Sequence, residues 1–425
     1  MSPVFTQQVL QAAISNGLLS EDQPLAAFVD TAGVSRTITS LHKAFPDHFE
    51  HAFAAKANTM SKALGLVREA GMSVEVASPG ELEQALRAGF APARIVYDEP
   101  AKTGAVLKQV LGQGIGLNID NFQEFTRVES IMRKSPGRSR IGFRINPQVG
   151  AGTIGAMSTA TSSSKFGVAL DDEGNRQALM DRYLDHPWLT SLHCHVGSQG
   201  CSLEMMCAGI RKTVDLAEEI NAVGGCRQIE LIDIGGGLPV NFESDEIKPT
   251  FADYSEELRK RVPELFSGAY RVKTEFGRSI YAKNGFIASR VEYTKSSGGR
   301  HIAATHAGAQ IATRTVFMPD HWKIRVSVFD AKGCIKSGNE TVQDIAGPLC
   351  FAGDKVASGR SLPLIEAGDY VVLLDTGAYY FSNPFYYNAL PAPAVYAVNG
   401  AADDLVDFSV WRNQQTMEDM LSVIG

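Results

Sequence analysis

The sequence predicts an α/β chain in two parts, a (β/α)8 barrel followed by a smaller β-domain. Three observations predict it. Eight short, β-rich apolar runs follow one another between Ala52 and Thr274. Amphipathic, helix-compatible stretches lie between several of them. After about Ile280 the pattern becomes one of apolar runs divided by turn residues, without helical periodicity between them.

In order, strands are expected near Ala52–Ala55, Ser73–Val76, Arg94–Tyr97, Gly116–Ile119, Arg140–Ile145, Leu189–His193, Gln228–Ile234 and Arg271–Thr274. Ser61–Ala70, Glu81–Ala88 and Leu203–Ala222 read as helices. Strands alternating with helices over roughly 240 residues match the size and rhythm of a (β/α)8 barrel. The barrel is expected over residues 30–280, and residues 1–29 with 281–425 form the β-domain. Gly285–Tyr293, Ile324–Val328 and Tyr370–Leu374 are its clearest strands, with turns at Ser296–Gly299 and Ser358–Gly359. Ala26–Asp30 is expected to add a strand to the same domain.

Composition narrows the function. At 425 residues the chain exceeds one ordinary core. Its 44% hydrophobic and 20% charged residues describe a globular protein. A net charge of −7 without a dense Lys/Arg run argues against a nucleic-acid partner. No basic n-region or long apolar run marks a signal peptide or a membrane span. The cysteines, at 194, 201, 207, 226, 334 and 350, fit neither a disulfide framework nor a metal site, so a reducing cytoplasm is expected.

A barrel carries its active site at the C-terminal ends of its strands. Four chemically loaded features fall there. Lys56 follows the first strand within Phe53-Ala54-Ala55-Lys56-Ala57-Asn58. Taken alone it would be a solvated strand end. A desolvated lysine, however, has a lowered pKa, as a Schiff-base nucleophile needs. His195 follows the sixth strand, Gly235-Gly236-Gly237 the seventh, and Glu275 the eighth. A triple glycine is a tight turn in most settings, but it also lets backbone amides approach a phosphate. A phosphate site, a Schiff-base lysine and a separate carboxylate together suggest pyridoxal 5'-phosphate.

With these residues in view, the chain resembles the fold-type III pyridoxal-phosphate decarboxylases, the group of ornithine, arginine and diaminopimelate decarboxylases. Ala55-Lys56-Ala57-Asn58 resembles the family's AKAN element, and His195-Val196-Gly197-Ser198-Gln199 its H-V/I-G-S-Q. Gly235–Gly237 matches its triple glycine, and Glu275-Phe276-Gly277-Arg278 resembles its EPGR. Further similar pieces are Ala77–Leu82, Arg144–Pro147, Lys165–Gly167, and Gly377-Ala378-Tyr379 followed by Tyr387-Asn388. The resemblance runs in family order from about residue 26 to 396.

The resemblance implies a TIM barrel of the alanine-racemase type with a C-terminal β-domain. It also implies a set of roles. Lys56 carries the cofactor covalently, His195 stacks on its ring, and Glu275 pairs with its pyridine nitrogen. Ser198, Gly235, Gly236, Gly237 and Tyr379 contact its phosphate. Arg278 joins them or holds a substrate carboxylate. Cys350 serves the partner subunit's site as general acid, which makes the enzyme a homodimer with shared sites. A glutamate at the ring nitrogen, where alanine racemases place an arginine, favours decarboxylation over racemisation.

The departures concern the substrate. Cys350-Phe351-Ala352-Gly353-Asp354 stands where diaminopimelate decarboxylases read C-E-S-G-D. Phe351 cannot accept hydrogen bonds from a distal ammonium. Arg314 keeps the carboxylate-binding arginine of the R-P-A-L-Y segment, but Met318 replaces its tyrosine. Tyr387 lies in an unusually aromatic stretch. Arg314, Phe351, Met318, Asp354 and Tyr387 are therefore the expected substrate contacts. The expected reaction is α-decarboxylation of a modified or uncommon diamino or carboxylated amino acid, as in siderophore or other specialised biosynthesis. Alternatives are diaminopimelate itself, a D-amino acid, a racemase, and a non-catalytic relative.

Overall fold

The β-rich runs form strands in the computed structural model, which describes residues 2–402 and 405–425. The chain divides into two units: Thr37–Val240 with Lys248–Ser279, and Met1–Arg36 with Asn241–Ile247 and Ile280–Gly425. The first strand, β1 (Leu25–Asp30), belongs to the second of these.

The barrel unit holds β2 (Phe49–Ala54), β3 (Ser73–Val76), β4 (Ile95–Tyr97), β5 (Gly116–Ile119), β6 (Ile141–Asn146), β7 (Val168–Ala169), β8 (Leu189–Cys194), β9 (Leu231–Asp233) and β10 (Arg271–Phe276). All pair in parallel, in the order β5-β4-β3-β2-β10-β9-β8-β6. Pairing of β5 with β6 closes the barrel, and the two-residue β7 extends the end of β6.

Successive side chains on a strand point to opposite faces. One alternating set here is apolar and fully buried: Val74, Phe143, Leu192, Ile232 and Phe276. Burying each stabilises the unit by roughly 1.5–3 kcal/mol. The other set is polar yet equally buried: Glu75, Arg144, His193, Asp233 and Glu275. Members of the polar set contact one another across non-adjacent strands, which places them on the inner face of the barrel. The intervening helices start on side-chain caps. Ser78 Oγ accepts from the Glu81 N–H at 3.1 Å, Asn121 Oδ1 from that of Glu124 at 2.9 Å, and Thr250 with Asp253 forms a capping box. Each cap contributes about 1 kcal/mol.

The second unit is a nine-stranded sheet. After β1 it contains β11 (Gly285–Ser297), β12 (Arg300–Thr305), β13 (Val326–Phe329), β14 (Glu340–Ala346), β15 (Lys355–Pro363), β16 (Tyr370–Leu373), β17 (Ala394–Ala402) and β18 (Leu405–Arg412). The main path is β15-β14-β12-β11-β1-β17-β18. β1 sits at its centre, antiparallel to β11 and parallel to β17. Phe28 stacks on Phe286 at 5.0 Å beneath helix Pro3–Ser15, whose Val9, Leu10 and Ala13 are fully buried. Among the described residues, helices Pro3–Ser15, Ala309–Phe317 and Met417–Ile424 interrupt the expected all-β pattern. Helix Ala309–Phe317 is short and kinked at Ala312, and its Ile, Thr, Val and Phe residues are weak helix formers. No helix among the described residues is long and apolar enough to cross a membrane.

Candidate active site

β2 ends at Ala54, and the chain turns at once into a single 3-10 turn, Ala55–Ala57. That turn presents Lys56 beside the neighbouring strand. Its Nζ donates to Glu75 Oε2 at 2.7 Å, while the lysine side chain stays 39% exposed. Glu75 is fully buried, and burial above all pushes its carboxyl upward, against the pull of the Lys56 charge. The sequence reading did not single out Glu75.

Behind this pair lies a chain of buried polar groups. Arg144 Nη1 is 2.5 Å from Asp98 Oδ2. Burial works to raise Asp98, but the charges of Arg144, His193, Lys102 and Lys56 outweigh it and hold the carboxyl at about 2. His193 stands between Asp98 and Glu275, with Nδ1 3.9 Å from Asp98 Oδ1 and Nε2 3.5 Å from Glu275 Oε2. Burial, and then the negative charges of Glu75 and Asp98, push Glu275 up to about 8. The sequence reading gave no role to Asp98, His193 or Asp233, the last two only lying within expected strands, and named Arg144 only as part of a motif.

The glycine run follows β9. Gly235 and Gly237 adopt φ of +65° and +98°, a region that favours glycine. A Cβ on Gly236 would lie 2.1 Å from the Glu275 carbonyl oxygen, and one on Gly237 2.0 Å from that of Gly197. The run is therefore required by the packing of the loop against its neighbours. The Gly236 N–H donates to His195 Nδ1 at 3.1 Å. A ring nitrogen that accepts carries no proton, so the neutral imidazole holds its proton on Nε2. Burial and the positive charges of Arg144 and Lys56 drive His195 well below the ordinary histidine value, which keeps it neutral. Ser198 lies in the following turn, and Gln199 clamps it by bonding both the N–H and the carbonyl of Val240. Arg278 opens a single helical turn just after β10 and is buried.

These residues suit pyridoxal phosphate. One lysine amine, one neutral imidazole and a glycine loop share the strand ends with a buried carboxyl. That carboxyl, Glu275, has an oxygen, Oε1, without a hydrogen-bond partner among the described residues.

The other expected residues lie in the second unit. Cys350 is exposed in the turn after β14, and its N–H donates to Asn388 Oδ1 at 2.9 Å. Phe351 stacks on Phe317 with centroids 5.5 Å apart and planes 3° apart, and meets Tyr387 edge-on at 5.6 Å. Phe385 touches both Phe317 and Tyr387. The Arg314 guanidinium lies 4.1 Å from the centre of the Tyr379 ring, and Tyr379 itself adopts φ +67°. The carbonyl of Met318 accepts from the N–H groups of His321 and Trp322. Asp354 makes contacts within its own unit. Its carboxylate is buried, accepting from the Leu349 N–H and the Ala309 N–H at 2.7 Å each. Both oxygens thus hold the Cys350 turn against helix Ala309–Phe317. His301 and His306, without a role in sequence, bond the Ile365 carbonyl and Glu292 of the same unit. All six cysteines are free thiols.

Comparison with known proteins agrees with this chemistry. A family model described as "Pyridoxal-dependent decarboxylase, pyridoxal binding domain" matches residues 31–282. Diaminopimelate decarboxylase of Pseudomonas aeruginosa is 30% identical over 372 residues, covering 87% of this chain and 84% of the relative. That of Helicobacter pylori is 31% identical over 346 residues, covering 80% and 81%. The crystal structure of diaminopimelate decarboxylase from Helicobacter pylori complexed with L-lysine superposes with a TM-score of 0.82 at 26% identity, over 94% of this chain and 96% of that one. A lysine/ornithine decarboxylase from Vibrio vulnificus shares the fold, with a TM-score of 0.75 at 19% identity over 88% and 95% of the two chains. A closed parallel barrel, a lysine, imidazole, carboxyl and glycine loop at its strand ends, and a family match over more than half its length place this chain in the pyridoxal-dependent decarboxylases, carboxy-lyases whose cofactor is pyridoxal 5'-phosphate.

Proposed function

We propose that the chain removes the α-carboxylate of diaminopimelate, and that it works as a homodimer in the cytoplasm. The observation that carries the reaction type is the pairing of Lys56 with buried Glu75 on the barrel that also holds Glu275. The named relatives are diaminopimelate decarboxylases, and that supports the substrate.

Bound pyridoxal phosphate supplies an electron sink for the pair left on the α-carbon when the carboxylate departs as carbon dioxide. The chain's own residues do the rest. Lys56 would hold the cofactor covalently, with Glu75 beside it as the counter-charge that can take or return a proton. Neutral His195 presents its ring face to the cofactor. The Gly235–Gly237 loop, Ser198 and Tyr379 hold the phosphate, with Arg278 close by. Glu275 would pair with the ring nitrogen and keep it protonated. Cys350, from the partner subunit, delivers a proton to the α-carbon, and Arg314 binds a carboxylate at the far end of the substrate.

A second reading concerns the distal group. Phe351 lies in a cluster of four rings with Phe317, Phe385 and Tyr387. An aromatic wall favours a substrate whose distal end lacks a free ammonium, a modified or uncommon amino acid. One experiment separates the readings. Cofactor-loaded protein is incubated with an amino-acid panel, and carbon dioxide and amine products are measured. Lysine formed from diaminopimelate supports the first reading, and release from N-modified or uncommon members alone supports the second. Racemisation without carbon dioxide, or no release from any member, would sink both.

A further inference from the structure

His193, which stands beside Glu275, is one of the buried titratable groups to which the proposed mechanism gives no task. It is the fifth residue of β8 and is 0% exposed. Neither ring nitrogen has a hydrogen-bond partner among the described residues. An imidazole buried that way loses its water contacts and gains nothing in return. Its two nitrogens nevertheless face two carboxyls, Asp98 at 3.9 Å and Glu275 at 3.5 Å. Each gap exceeds the ~3 Å of a made hydrogen bond, and such contacts in ligand-free sites often tighten on loading. The other charges acting on the ring are Asp233, Glu75 and Arg144.

We propose that His193 is the positioning residue for Glu275, sharing one proton with it, while Asp98 keeps the imidazole turned for that exchange. Asp98 is ionised by its contact with Arg144, so His193 directs Nδ1–H toward it. Nε2 then offers its lone pair to the Glu275 carboxyl. Before cofactor binds, the proton resides on Glu275. When Glu275 must meet the protonated ring nitrogen as a carboxylate, its O–H bond breaks and an Nε2–H bond forms, giving imidazolium between two carboxylates. The pair's net charge is unchanged by the transfer. A buried site thus supplies a carboxylate without taking on uncompensated charge, which would be costly in so dry a place.

This inference rests on the pairing of Glu275 with the ring nitrogen proposed above, and the test separates the two. Asparagine places an amide near Nδ1 only, whereas glutamine reaches the position of Nε2. His193→Asn, His193→Gln, Glu275→Gln and the His193→Asn/Glu275→Gln double variant are loaded with pyridoxal 5'-phosphate. Its dissociation constant and absorbance spectrum are then measured from pH 6 to 9. His193→Asn is expected to weaken retention about tenfold, as loss of an orienting partner does at other sites, and to shift the spectrum. His193→Gln should restore both toward the parent, and His193→Asn should have no further effect once Glu275 is Gln. Equal behaviour of Asn and Gln, or an undiminished His193→Asn effect in the Glu275→Gln background, would overturn the proposal. If His193→Asn does not fold, the volume-preserving His193→Gln is read alone and with Glu275→Gln. Its effect on the spectrum's pH dependence must vanish in that background. A parent-like spectrum in Glu275→Gln alone would instead sink the pairing on which the inference rests.

Discussion

The ammonium of Lys56 lies 2.7 Å from Oε2 of Glu75, an acid buried on the adjacent strand. A lysine must be neutral to attack an aldehyde, and a nearby carboxylate favours its charged form. Glu75→Gln keeps an acceptor of the same size but removes that charge. Covalent cofactor attachment, trapped by borohydride across a pH series, should then reach its midpoint about one pH unit lower than in the parent. A midpoint that stays or rises would remove Glu75 from the attachment step.

Glu275 fixes the sign of a pH effect on the cofactor-free protein. Its folded value is raised from 4.5 to about 8. In that window the folded state binds more protons than the unfolded state, so stability falls as pH rises from 4.5 to about 8. Asp98 acts in the opposite sense at lower pH. Its value is lowered from 3.8 to about 2, so its contribution is lost as pH falls through that range. Denaturant midpoints should decline between pH 5 and pH 8 in the parent, by the equivalent of a few kcal/mol. The decline should be much smaller in Glu275→Gln. Parallel curves for the two proteins would mean that Glu275 is ionised in the folded apoprotein.

Glu275 and Glu75 differ in how far the sequence disclosed them. Glu275 was legible because it ends a strand and belongs to a recognisable element. Lys56, His195 and the glycine run were legible for the same reason. Glu75 and His193 were not. Each sits inside a run that reads as apolar, and its task comes from a neighbour on another strand, which chain periodicity does not reveal. The alternation of polar with apolar residues in β3, β6, β8 and β10 does mark the inner face once closure of the barrel is known. In the second unit, Ala26–Asp30 was rightly read as a strand, but its parallel pairing with β17 joins segments more than 360 residues apart. Local pattern carries no such information. The motif position of Asp354 likewise does not disclose its hydrogen bonds to Ala309 and Leu349.

Asp354 gives a prediction about the Cys350 turn. Its carboxylate holds the N–H groups of Leu349 and Ala309. Asp354→Ala leaves two buried donors unsatisfied, at roughly 1–3 kcal/mol each. Thermal unfolding should reveal that loss. Carbon dioxide release should fall while the cofactor spectrum stays like the parent's, because the barrel residues are untouched. A changed spectrum with normal turnover would contradict the assignment of the turn to proton delivery.

Phe351 carries the question of the substrate. It lies parallel to Phe317 and edge-on to Tyr387, beside the thiol proposed to protonate the product. Phe351→Glu replaces a ring with an acceptor for a distal ammonium. Losing the ring contacts should cost about 1 kcal/mol of stability, because that is what aromatic pairs contribute beyond buried area. The effect on selectivity should be larger, since a site that pairs a charged substrate group discriminates far more strongly than an apolar one. The ratio of kcat/KM for diaminopimelate to that for an analogue with a blocked distal amine should rise at least about tenfold. An unchanged ratio would mean that Phe351 does not face the substrate. A rise would place the chain's specificity in this aromatic cluster.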